Sequence, residues 1–192
     1  MTVTPKPAKV EELIRRLDQA VAARDDATRC RNVKQVLTDV VNSGEQFVDE
    51  PYLKPAPDRY ARRLMHQDPQ GRYTVLVMVW DQGQGTPLHD HAGTWCVECV
   101  YRGRIRVTSY SCHGGDPERD IVRFEQESVV MAGIGEAGAL IPPFEYHMIQ
   151  NPDPKASITL HVYGGEMKFC HVFNPVGEGG YRREYRELYY TE

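Results

Sequence analysis

From Tyr60 to Phe173 the chain is a succession of about ten short apolar runs, each bounded by a turn signal, and this texture admits few folds. The runs are 60–65, 73–80, 95–101, 104–110, 121–124, 128–132, 139–141, 147–151, 157–163 and 168–173. Asp68-Pro69-Gln70-Gly71, Arg102-Gly103 and Asn151-Pro152-Asp153-Pro154 separate several of them. Such residues end strands because they favour turn backbone or lack the amide a ladder needs. Segments so short, packed on one another, predict an all-β core of jelly-roll β-barrel type. Upstream the period changes. Val10, Leu13, Ile14, Leu17 and Val21 recur at helical spacing and predict an amphipathic helix over 9–24. Val33, Val36, Leu37, Val40 and Val41 predict a second, ended by Asn42-Ser43-Gly44. The expected organisation is a single domain in three parts. An N-terminal helical segment with a proline-rich connector (1–57) caps the barrel (58–180), and a polar, aromatic tail (181–192) packs back onto it or frays.

Composition narrows the function class. The chain has 192 residues, 41% hydrophobic and 26% charged, with a formal net charge of -4. That is long enough to bury one core, and no basic face or arginine-rich run suits nucleic acid. No helix-turn-helix with a basic recognition helix supports a ligand-sensing regulator. No apolar stretch approaches the ~20 residues of a membrane span. Residues 1–9 lack the apolar centre of a signal peptide, so a cytoplasmic protein, monomeric or a small homo-oligomer, is expected. The five cysteines, Cys30, Cys96, Cys99, Cys112 and Cys170, are too irregular for a disulfide framework. Cys96-Val97-Glu98-Cys99 fits C-x-x-C, but on a strand positions i and i+3 face opposite sides, so zinc or redox chemistry is not expected there.

The chemistry-bearing stretch is Gly85-Thr86-Pro87-Leu88-His89-Asp90-His91. On a strand His89 and His91 share a face while Asp90 turns away, and His147 sits on a later run that can be brought alongside. Three neutral imidazoles form an unusual metal site. The pattern resembles the cupin superfamily. Its first motif reads here as Gly85, His89, His91, Cys96 in place of the usual acidic residue, and Gly103. The second reads Pro142, His147 and Asn151, with Phe144 where glycine is usual. Glu98 follows Cys96 by two and shares its face, which leaves a mixed histidine–carboxylate site open.

Further residues resemble the cysteine dioxygenase (thiol dioxygenase) family from about Tyr60 to Asn174. They are Tyr60-Ala61-Arg62, the His89-Asp90-His91 segment with Cys96, Thr159-Leu160-His161-Val162-Tyr163, and Cys170-His171-Val172-Phe173. The resemblance implies Fe(2+) held by His89, His91 and His147, and Arg62 gripping a substrate carboxylate beside Tyr60. It implies a relay of Thr159, His161 and Tyr163, with threonine where serine is common. Cys96 matches a position that in some members forms a thioether with the tyrosine corresponding to Tyr163. The implied reaction adds both atoms of O2 to a small thiol carboxylate, first L-cysteine to cysteine sulfinate. Mercaptosuccinate and 3-mercaptopropionate are the alternatives. A second carboxylate would need another cation, such as Arg63 or Arg182. Strand alternation independently places Thr159, His161 and Tyr163 on one face, and Tyr60 with Arg62 on one face opposite Arg63. The reading from a different class is a non-oxygenase cupin, an isomerase or binding protein using zinc or manganese, in which Arg62 and Tyr163 are dispensable.

Overall fold

The computed structural model describes residues 8–115, 121–143 and 145–192, so Phe144 and the first seven residues lie outside the described residues. Two helices come first, α1 (Ala8–Ala20) and α2 (Asp26–Asn42). The first ends sooner than the 9–24 period suggests. Asp25 takes extended backbone and accepts a hydrogen bond from the Thr28 amide, which starts α2 on a side-chain cap.

Among the described residues eleven strands follow: β1 (Ala61–Gln67), β2 (Thr74–Trp80), β3 (Leu88–His89), β4 (Cys96–Arg102), β5 (Ile105–Cys112), β6 (Ile121–Ala132), β7 (Ala137–Leu140), β8 (Tyr146–Gln150), β9 (Ser157–Tyr163), β10 (Phe169–Gly177) and β11 (Gly180–Glu187). One sheet runs β1-β2-β9-β4-β7, and the other six strands close into a ring, β10-β11-β6-β5-β8-β3. This is the expected jelly-roll type of β-barrel.

β2 and β9, inside the first sheet, are buried on both faces, which explains why they read as continuous apolar runs. Val75, Val77 and Val79 pack outward with Leu160 and Val162 against Leu13, Leu17, Val33 and Leu37 of the helices. Each such side chain removed from water is worth about 1.5–3 kcal/mol. Leu76, Met78 and Trp80 alternate inward, beside Cys96 and Tyr163. The helices therefore cover the outer face of a sheet instead of closing an end of the barrel. Arg72, after the β1–β2 turn, pins α1 there by bridging Asp18 and Asp68. The same alternation puts Cys96 in the inner core and Cys99 in the outer one, so the C-x-x-C pair does not converge.

Two expectations are corrected. The runs 121–124 and 128–132 are one strand, β6, continuous through Glu125-Gln126-Glu127 because most of it faces solvent and needs no apolar residues there. The segment 181–192 is not a tail beyond the barrel. It supplies most of β11, which pairs along β10 and, through Gly180–Arg182, with β6. No helix among the described residues is long and apolar enough to cross a membrane.

Candidate metal centre

The histidine segment crosses the barrel because Gly85 lets it pass close to β8. A Cβ there would stand 2.4 Å from the Ile149 carbonyl oxygen, which instead accepts the Thr86 amide at 2.8 Å. The short β3 then pairs His89 directly with His147 of β8. His91 lies two residues beyond the end of β3. Its ring nonetheless shares the side of His89, as alternation predicts, and the turn at Ala92 (φ 52°) and Gly93 (φ 76°), both with left-handed backbone, follows it. Asp90 points away and holds the turn, accepting from the amides of Ala92 and His171 and from the His171 ring at 2.8 Å.

One nitrogen from each of His89, His91 and His147 lies within 4.8 Å of the others, and all three residues are buried. Nδ1–H of His89 donates to the Pro87 carbonyl at 3.0 Å, so Nε2 is the bare nitrogen, 3.2 Å from Nε2 of His147. Behind His91 lies a Glu145 carboxylate oxygen at 3.8 Å from Nδ1, and behind His147 a Glu98 oxygen at 4.0 Å. Burial lowers the pKa of all three rings, and neighbouring imidazoles lower His91 and His147 further. Neutral rings, converging nitrogens and acceptors behind them fit a divalent metal ion. Glu98 stands behind the His147 ring, outside this cluster. Burial raises its carboxyl to about 8.

Beside the triad, β9 presents Thr159, His161 and Tyr163 inward, all buried. Trp80 Nε1–H donates to Thr159 Oγ1 at 2.8 Å, and the same oxygen lies 2.8 Å from His161 Nε2. Accepting from Trp80 leaves the hydroxyl its own proton to donate, and given to His161 Nε2 it places the proton of the neutral ring on Nδ1. That Nδ1 is 3.3 Å from the Tyr163 oxygen, so the phenol accepts there, while its own proton faces Met78 Sδ at 3.8 Å, a weak acceptor on the cavity wall. Burial, then the charges of Arg62 and His89, lower His161 to about 3, and burial pushes Tyr163 far up. Both are therefore neutral near pH 7. Cys96 faces Tyr163 directly across the β4–β9 ladder.

Arg62 is buried, donates to the Met167 carbonyl at 2.8 Å, and lies 5.0 Å over the Tyr190 ring. Tyr60 stacks on Trp80 with centroids 4.6 Å apart. Arg63 faces the other way, bonded to the carbonyls of Tyr52 and Lys54, and Arg182 is paired opposite Asn174 on the exposed part of β11. Neither supplies the second cation considered above. A cavity of about 30 Å³ touches Arg62, Tyr60, Tyr163 and the three histidines, and Leu188 closes one side. Trp80, Glu145, Leu188 and Tyr190 carried no local sequence signal, because their roles arise from contacts between distant segments.

A family model described as Cysteine dioxygenase type I matches residues 1–175. Cysteine dioxygenase type 1 of Homo sapiens is 22% identical over 175 residues, covering 88% of this chain and 80% of its own length. The protein of the same name from Danio rerio is 20% identical over 177 residues, covering 90% of this chain and 83% of its own.

Proposed function

The chain belongs to the cysteine dioxygenase type I family, and on that premise we propose that it is an iron-dependent thiol dioxygenase converting a small thiol carboxylate and O2 to the sulfinic acid. The reaction adds both oxygen atoms to one sulfur and needs no further reductant. The observation that carries this reading is a neutral three-histidine cluster within reach of one buried cation and one buried, proton-bearing phenol. His89, His91 and His147 would hold Fe(2+), which when bound supplies the redox chemistry and the open positions where a thiolate and O2 meet.

The chain's own residues do the rest. Three neutral ligands leave the site net positive, which favours the thiolate over the thiol. Arg62 has given one N–H to Met167 and keeps the other donors of its fork for a carboxylate. Tyr60 stands beside it, fixed by Trp80. Trp80, Thr159 and His161 hold the Tyr163 oxygen at the cavity wall, and its proton, resting against the weak acceptor Met78 Sδ, turns to the reacting atoms as charge develops there. The cross-strand position of Cys96 opposite Tyr163 supports a thioether between them, formed with O2 as the two-electron oxidant and expected as a loss of two hydrogens in the intact mass.

L-Cysteine is the reference substrate, since one buried arginine suits one carboxylate. Free thiols at Cys30, Cys96, Cys99, Cys112 and Cys170 are consistent with a reducing, cytoplasmic setting. The deciding experiment measures oxygen uptake and sulfinate together, on iron-loaded protein given L-cysteine, 3-mercaptopropionate and mercaptosuccinate. One sulfinate per O2 from at least one thiol is expected. No sulfinate from any of them removes the proposal.

A further inference from the structure

Outside the metal cavity the barrel opens into a larger hollow of about 670 Å³. Tyr60, Arg62 and Leu188 line both spaces, so the outer hollow is the approach to the inner one. Its wall also carries Arg59 and Arg186, with Asp58 and Glu187 as the opposite charges. Arg186 stands out among these cations for its placement. It is paired with Cys170 across the β10–β11 ladder, and Cys170 lines the metal cavity. Paired residues project from the same face of a sheet, so the guanidinium leaves β11 toward the cavity mouth. Glu187 alternates to the other face, opposite Phe169, where it accepts the Tyr189 hydroxyl. The charge of Arg186 is felt at Tyr60, His89 and Cys170, and that of Arg59 at Tyr60. No hydrogen bond or ion pair with another described residue occupies the Arg186 guanidinium.

One cation therefore sits deep and partly engaged, and a second sits shallow and uncommitted, along the same path to the histidines. We propose that Arg186 is a second carboxylate subsite, and that the chain prefers thiols bearing two carboxylates, of which mercaptosuccinate is the simplest. Arg62 takes the carboxylate that mercaptosuccinate shares with L-cysteine and 3-mercaptopropionate, on the carbon next to the one bearing sulfur, and Arg186 takes the added carboxylate on the sulfur-bearing carbon. This inference rests on the thiol dioxygenase reading and specifies its substrate class. The subsite also lies beyond residues 1–175, the part of the chain the family model matches, so family membership alone does not imply it.

The test compares mercaptosuccinate with 3-mercaptopropionate, which lacks one carboxylate. Binding to the iron-loaded full chain is measured by calorimetry under argon, and sulfinate formation is then measured in air. Mercaptosuccinate is expected to bind at least about tenfold more tightly than 3-mercaptopropionate, as one added charge-assisted contact allows. In Arg186→Gln that advantage should fall below about threefold, and Arg186→Lys should keep part of it. In Arg62→Gln both thiols should weaken together. Equal affinities in the natural chain, or an advantage that survives Arg186→Gln, overturn the inference while cysteine oxidation leaves the parent reading intact. If neither thiol binds and no thiol yields sulfinate, the parent reading fails and the subsite fails with it.

Discussion

Arg62 and Thr159 make separable demands on the site, one for binding and one for chemistry. A charge-assisted hydrogen bond to a carboxylate contributes about 1.5–3 kcal/mol, so Arg62→Gln should raise KM for L-cysteine by roughly 10–100-fold while iron content stays unchanged. Thr159 touches no substrate. It links Trp80 to His161, and through His161 it fixes the Tyr163 oxygen. Thr159→Val should lower kcat about tenfold or more with KM nearly constant, and Thr159→Ser should restore it, because only the hydroxyl is required. Loss of folding instead of kcat in the valine variant, detected by its thermal midpoint, would reduce the residue to a packing role. His147→Ala removes one of three nitrogens from the cluster, and bound iron per chain should fall to near zero by elemental analysis.

At the scale of elements, the segment after β11 forms a strap over the site. Leu188 donates its amide to Lys168, the Thr191 amide donates to the Arg62 carbonyl, and the Arg62 amide donates back to the Thr191 hydroxyl at 3.0 Å. The enclosed cavity of about 30 Å³ has room for about one water, so a thiol acid enters only as this wall yields. Deleting 188–192 should raise KM about fivefold or more and let oxygen consumption exceed sulfinate formation, since water then reaches the reacting atoms. Unchanged coupling in the truncated chain would show that the strap is not a wall of the site. Nothing in Leu188-Tyr189-Tyr190-Thr191 announces this, because its partners are more than a hundred positions away at Arg62. For the same reason Trp80 reads only as the end of an apolar run. By contrast the His89, His91 and His147 cluster, the Thr159–Tyr163 face and most strands were legible. Those signals are local periods, and they hold where a strand has one face or two buried. They fail at β6 and β11, where exposed strands carry Glu and Arg without penalty.

For the molecule as a whole, the barrel and its helical cover are joined through a charged knot as well as through the apolar layer between them. Asp68, buried in the β1–β2 turn, accepts from the Arg72 amide and guanidinium, and Arg72 continues to Asp18 on α1, which also receives the Tyr73 hydroxyl. The Arg72 hydrogen bond is the main reason the Asp68 carboxyl falls to about 2. A carboxyl whose folded pKa lies below its unfolded value of about 3.9 stabilises the fold above that value, and the contribution disappears as pH falls toward the folded one. Arg72 remains a third exposed, so solvent screening reduces the full linkage value to about 1–2 kcal/mol. Asp68→Asn should therefore unfold in urea with a stability lower by about 1–2 kcal/mol at pH 6, and by roughly 2–6 °C in Tm. The gap between the two proteins should narrow as pH drops through 4 and close near 2. A gap that persists undiminished at pH 3 would mean that the turn depends on the shape of Asp68 and not on its charge. The helices would then be held to the sheet by the Leu13, Leu17, Val33 and Leu37 layer alone.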